Sequence, residues 1–220
     1  MLLELEVGKV RKAVFTRTAQ RNFTFTKWTN LIGDNAVGKS AMLKMIGTRS
    51  SYDSIIYDGT YYLTDTGKTP IKFRLRFDKP TTIIKYDPRE LLDRKSLSDG
   101  WFWGSIPTEE LVAIQMSELC GGELQSRYFS YFLKKNYDVL RNEQLDKIIL
   151  FDELETSLSL KSQEVVFRTW STYSAQPHIQ IIMATHSPIA MTYGSCIELT
   201  PGYRKYMAQK LLKLASELSK

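Results

Sequence analysis

The stretch that most limits how this chain can fold is Gly33-Asp34-Asn35-Ala36-Val37-Gly38-Lys39-Ser40. Two glycines four residues apart, then lysine and serine, match the pattern of a phosphate-binding loop. Glycine lets the backbone turn so that successive N–H groups converge on one anion. A helix starting at the lysine aims its positive N-terminal end at the same group. The chemistry needs a strand before the loop and a helix after it. The run TNLIG supplies the first; Lys39–Ile46, with helical apolar spacing and a stop at Gly47, supplies the second. In that frame residues Gly33, Asp34, Asn35, Ala36, Val37, Gly38, Lys39, Ser40 and Ala41 form a cradle for a nucleotide. Lys39 is expected to meet the β- and γ-phosphates, and Ser40 to bind Mg²⁺ through its hydroxyl.

Such a loop needs a carboxylate for the metal, at the end of a neighbouring buried strand. Residues 148–153 read IILFDE. Four apolar residues in a row fit a strand covered on both faces. Asp152 then emerges at its C-terminal end, where ligands of open α/β sheets sit, placed to hold Mg²⁺ through water. Glu153 follows, positioned to polarise an attacking water. Taken alone, an apolar strand with an acidic end is as easily a core strand with a solvated tip; the cradle upstream decides between the two. A second apolar run, IQIIMATHSP at 179–188, places His186 at the same edge. A neutral imidazole there can hydrogen-bond a γ-phosphate oxygen or the water. Ser187 followed by Pro188 reads as a helix start.

The rest of the chain fits one domain over residues 1–220, a length able to bury a substantial core. Apolar residues make up 43% and charged residues 25%, which excludes wholesale disorder. Leu3, Leu5 and Val7 alternate as a strand, and so do Phe23 and Phe25. Residues 51–87 read as β-rich, with Asp58-Gly59 and Lys79-Pro80 as turns. Residues 88–116, with WFWG at Trp101–Gly104, read as a small helical insertion that extends to about 135. From 117 a helix, a buried strand, a helix and a buried strand follow, then a short strand at 196–199. Arg204–Lys220 is an amphipathic helix with Leu211, Leu212, Leu214, Ala215 and Leu218 on one side. It is expected to pack on the core of its own chain. No apolar run reaches the ~20 residues that span a bilayer, and the start MLLELEVGKV alternates as a strand, unlike a signal peptide. Cys120 and Cys196 lack CxxC spacing and read as two reduced thiols, neither a disulfide framework nor a zinc site, in a cytoplasmic protein. The net charge of +6 gives weak support to an anionic partner.

Between the cradle and IILFDE lies Leu119-Cys120-Gly121-Gly122-Glu123. LCGGE resembles the LSGGQ or LSGGE signature of ABC-type ATPases, with Cys120 at the serine position. Taken in order, the cradle, this segment, IILFDE and the His186 strand resemble that family over about residues 1–200. The run Glu155-Thr156-Ser157-Leu158-Ser159 resembles the DEPETSLHP type of the OLD-, RecF- and SMC-like branch (AAA_21-like), not the DEPTSALD of transporter cassettes. The helix ELQSRYFSYFLKK also lacks the transporter continuation. Departures are Leu154 for proline, Ser159 for histidine or aspartate, and Asp34 and Ala36 for the loop's proline and second glycine. Asp87 is the positional candidate for the Q-loop corner.

The resemblance implies an α/β P-loop NTPase head with a mostly parallel core sheet, an antiparallel N-terminal β part and a small helical insertion. It implies Mg²⁺ and ATP as ligands, slow hydrolysis by Glu153 and His186, and a metal held by Ser40 and Asp152. It also implies an ATP-dependent head-to-tail homodimer, in which Cys120, Gly121, Gly122 and Glu123 of one subunit close the site of the other. The chain reads as a bare head, with no room for a long coiled coil. A DNA-associated process (repair, phage biology or anti-phage defence) is expected from the branch and the charge. The alternatives are an ATP-gated module that controls a partner effector protein, and a transporter cassette.

Overall fold

Three strands are buried at every position. They are β3, Trp28–Ile32, β8, Lys147–Asp152, and β9, Ile179–Ala184, the last two with long apolar runs. A strand can be apolar along its whole length only if both faces of its sheet are covered, which is the usual condition of parallel sheets. The computed structural model describes residues 1–8, 21–47, 55–56, 59–63, 71–86, 132–156 and 158–219. Of the expected insertion only residues 132–135 fall in this set, and they are helical. Trp101–Gly104, Asp87 and the signature residues Cys120, Gly121, Gly122 and Glu123 lie outside the described residues.

Around β8 and β9 lie β3 (Trp28–Ile32), β7 (Thr81–Tyr86), β10 (Ser195–Glu198) and the two-residue β4 (Ile55–Ile56). Their order is β10-β3-β9-β8-β7-β4. The first five run parallel, and β4 pairs antiparallel with β7 at the edge. A second, antiparallel sheet has the order β2-β1-β6-β5, from β1 (Leu2–Val7), β2 (Asn22–Thr24), β5 (Gly59–Leu63) and β6 (Ile71–Phe77). In β6, Phe73, Leu75 and Phe77 are buried and alternate with exposed Lys72, Arg74 and Arg76. That is the pattern of a sheet with one solvated face.

Side-chain parity assigns the two faces of the parallel sheet. Ile148, Leu150, Ile182 and Ala184 face helix α1 (Lys39–Ile46), whose Met42, Leu43 and Ile46 also meet the inner face of the antiparallel sheet. Ile149, Phe151, Ile181 and Met183 face helix α3 (Leu160–Ser174) through Val166, Phe167 and Trp170. The phosphate-loop helix is therefore held between two sheets. A short helix α2, Tyr137–Arg141, precedes β8. The buried Lys147 caps its end by donating to the carbonyls of Leu140 and Asn142 at 3.1 and 2.7 Å. Gln180 of β9 ties the sheets together. Its carboxamide accepts from Leu2 N–H at 2.9 Å and donates to the carbonyls of Leu2 and Thr26 at 3.0 and 2.9 Å.

Three expectations need correction. In β1 Leu5 and Val7 are buried as expected, but the third buried residue is Leu2, not Leu3, because the pairing with β6 slips between Leu2 and Glu4 and changes the phase of the alternation. Lys79-Pro80 is a turn as expected, and it carries the chain from β6 in one sheet to β7 in the other. Ser187-Pro188 does open a helical turn, with Ser187 Oγ accepting from Ala190 N–H at 3.2 Å. The turn is a single 3₁₀ stretch, Ala190–Thr192, because β10 begins at Ser195. The tail helix α4, Tyr203–Leu218, does not pack on its own core. Only Tyr203 is buried, against Ile32 and Met191, with Met207 beside them. Beyond that first turn the helix leaves the sheet, and Leu212 and Leu218 are 73% and 88% exposed.

Candidate functional site

The phosphate loop joins β3 to α1 in conformations that its glycines permit. Gly38 caps the helix at φ +108, and Gly33 stands at φ +149. A Cβ on Gly33 would meet the backbone nitrogen and Oγ1 of Thr200, and Val37 Cγ2, each at 3.0 Å. Both positions therefore require glycine. Ala36 is also left-handed, at φ +60. Val37 is buried in the core, whereas Asn35 and Ala36 are exposed. Thr200, just past β10, braces the loop by accepting from Asp34 N–H at 3.1 Å.

Lys39 is 5% exposed. Its ammonium donates to the carbonyls of Gly33 and Asp34 at 2.9 and 3.0 Å, and to His186 Nε2 at 2.8 Å. Burial holds its pKa below the usual lysine value, against the upward pull of Glu153, Glu155, Asp152 and Asp34. Ser40 Oγ donates to Asp152 Oδ1 at 3.0 Å. The loop after β3 and the end of β8 thus meet, as the two sequence patterns required.

Glu153 leaves β8 with φ +52, a left-handed conformation that non-glycine residues seldom adopt. Its Oε1 lies 3.9 Å from His186 Nε2. His186 follows β9, whose end is paired with that of β8: Glu153 N–H donates to Ala184 C=O at 2.9 Å. Burial, and then the nearby Lys39 charge, hold the His186 pKa below the ordinary histidine value, with Glu153 opposing. The Lys39 ammonium donates to Nε2, so the ring is neutral in this arrangement.

Three residues that the sequence reading left out of the site belong to it. Glu155 Oε1 accepts from the His186 backbone N–H at 2.6 Å and fixes the strand exit. Burial raises the pKa of its carboxyl, countered by that bond and by one from Thr185. Tyr203 OH lies 3.2 Å from His186 Nδ1. Thr200 is the third. Glu155 was visible in the motif run, but Thr200 and Tyr203 reach the site only because β10 lies beside β3, an order no local pattern records.

The Ser40 hydroxyl and Asp152 carboxylate are hard oxygen donors side by side. That set fits Mg²⁺, which takes one or two protein oxygens and completes its shell with water and phosphate. Among the described residues no cluster of three His, Cys, Asp or Glu gathers as an all-protein metal cage, and Mg²⁺ does not require one. Likewise, no described helix is long and apolar enough to cross a membrane.

The sequence matches no protein-family model and no curated protein. Its fold has counterparts among solved structures. The dimeric structure of MJ0796, a bacterial ABC transporter cassette, aligns with a TM-score of 0.53 at 15% identity, over 90% of this chain and 94% of that one. A dimeric post-hydrolysis state of the same ATP-binding cassette, bound to ADP and phosphate, aligns with a TM-score of 0.50 at 15% identity, over 90% and 92%. An SMC head domain from Thermotoga maritima aligns at 0.45 and 14% identity, over 87% and 91%. The fold is that of an ABC-type ATPase head, as the order of the motifs implied. A likeness at this identity fixes the fold and does not separate the branches that share it.

Proposed function

We propose that this chain binds Mg²⁺-ATP at the C-terminal ends of β3, β8 and β9, hydrolyses it slowly, and uses the ATP-bound state to join two copies head to tail. The observation that carries this reading is the Ser40–Asp152 hydrogen bond, with Lys39, Glu153 and His186 grouped beside it. A phosphate cradle, a metal pair and a water-positioning carboxylate are the parts that phosphoryl transfer to water requires. Residues Gly33 to Ala41 hold the phosphates through backbone N–H groups and the Lys39 charge. Ser40 and Asp152 hold the metal, which supplies positive charge to the phosphate oxygens. Glu153 orients the attacking water, and its left-handed backbone turns the carboxylate out of the strand direction toward His186. His186 hydrogen-bonds the γ-phosphate. Cys120, Gly121, Gly122 and Glu123 of the second copy close the site, so that the closed dimer gains contacts only when a γ-phosphate is present.

The process we assign is DNA-associated. Its support is the Glu155–Ser159 run and the net charge of +6; DNA retention that depends on ATP and falls steeply with salt is its test. A second reading, an ATP-gated module for a partner effector, is favoured by the exposed apolar side of α4.

Titration calorimetry with ADP and with a non-hydrolysable ATP analogue tests the core of the proposal. Lys39→Ala should abolish measurable binding of both. Unchanged affinity in that variant would overturn the cradle assignment.

A further inference from the structure

We infer that Tyr203, the first residue of α4, is a positioning residue that bonds Nδ1 of His186 in both tautomers of the ring, so that Nε2 can exchange a lysine partner for a phosphate. The inference rests on the nucleotide reading above and names a device within the same site.

The ring of His186 has a defined partner on each nitrogen. The Lys39 ammonium has only hydrogens to offer, so Nε2 at 2.8 Å must accept. The neutral ring then carries its proton on Nδ1, which donates to the Tyr203 oxygen at 3.2 Å. The two rings meet edge to face, with centroids 6.4 Å apart and planes at 69°. Tyr203 is held in place by burial among Ile32, Met191 and Met207.

A phosphate oxygen poses the opposite demand. It only accepts, so a ring nitrogen that bonds it must carry the proton. If Nε2 turns from Lys39 to a γ-phosphate, the neutral ring gives up its Nδ1 proton and takes one at Nε2, both exchanged with water. Nδ1 is then a bare acceptor. A tyrosine hydroxyl can reverse its role and donate to it, because a hydroxyl both donates and accepts. Phenylalanine can do neither. Tyr203 thus stabilises the ring in the state that the γ-phosphate needs, and it places the base of the tail helix in direct contact with the group that senses that phosphate.

The chain has two histidines, so ¹⁵N labelling of histidine resolves His186 against His178 as an internal reference. In the unmutated protein, the free form and the ADP form should show the proton on Nδ1, and the form with a non-hydrolysable ATP analogue should show it on Nε2. In Tyr203→Phe the free ring should keep its proton on Nδ1, because Lys39 still requires Nε2 to accept, and the exchange to Nε2 with the analogue should be incomplete. Calorimetry should find the affinity for the analogue weakened by at most roughly 5-fold, since the free ring also loses its long 3.2 Å bond to Tyr203, with ADP affinity unchanged. In a His186→Ala background, Tyr203→Phe should have no further effect on analogue binding. If the unmutated protein binds neither nucleotide, the nucleotide reading fails and this inference falls with it. If both nucleotides bind, then an exchange to Nε2 in Tyr203→Phe as complete as in the unmutated protein, or equal losses for ADP and the analogue, overturns this inference alone.

Discussion

Ala36 occupies a left-handed conformation, at φ +60, where the resembled family places a glycine. A side chain there costs roughly 1–2 kcal/mol, because its Cβ crowds the following carbonyl. Glycine removes that cost but loses about 0.5–1 kcal/mol through its freer unfolded chain. The difference favours glycine by about 0.5 kcal/mol. Ala36→Gly should therefore raise the Tm by about 1–2 °C, read by thermal unfolding, while Ala36→Val should lower it, since a β-branched residue is least tolerant of positive φ. A fall in Tm with glycine would show that the loop gains more from the methyl group than the geometry allows. The strain at Glu153 has a different character. It lies at the exit of β8, between Asp152, which we propose as a metal ligand, and His186, where an unusual backbone angle turns the carboxylate out of the strand direction.

At the scale of elements, α4 departs from the habit of amphipathic helices in globular chains. Met207, Leu211, Leu214 and Leu218 recur at spacings of four, three and four, yet cover little beyond the first turn. Leu212→Ser and Leu218→Ser should each change the unfolding free energy by less than about 0.5 kcal/mol in urea titrations. Phe167→Ala in α3, where the ring is fully buried, should cost about 3–5 kcal/mol. A loss at Leu212 comparable to that at Phe167 would mean that α4 is covered after all. The stripe in the sequence said only that a face suits burial; it carried no information on what covers it. Elements whose signal is local were readable. The loop, α1 with its stop at Gly47, and the doubly buried β8 and β9 all followed from residue order, because two-sided burial leaves an unbroken apolar run. Non-local facts were not readable. A turn such as Lys79-Pro80 marks a reversal without naming the sheet that receives the next strand. The slip that buries Leu2 is created by pairing with β6. The contact of Tyr203 with His186 exists because β10 returns to the side of β3.

For the whole molecule, a nucleotide that favours the dimer must be bound more tightly by the dimer, in the same proportion. This reciprocity makes the head-to-tail proposal measurable without a partner protein. Glu153→Gln removes the carboxylate that we propose orients water but keeps the size and hydrogen-bonding reach of the side chain, so on that proposal hydrolysis should fall by about 10²–10⁴-fold while Lys39, Ser40 and Asp152 still hold the ligand. With ATP this variant should elute from size exclusion as a dimer, and with ADP as a monomer, since the proposal gives the γ-phosphate as the group that the second copy's signature residues engage. Its apparent ATP affinity should also tighten as protein concentration rises, because each added increment of dimer draws nucleotide with it. An ATP affinity independent of protein concentration, together with monomeric elution at saturating ATP, would separate the two halves of the reading. The site formed by β3, β8 and β9 would remain a nucleotide site, and its output would have to pass through a surface of the single head, with α4, rooted at His186, as the element already in contact with it.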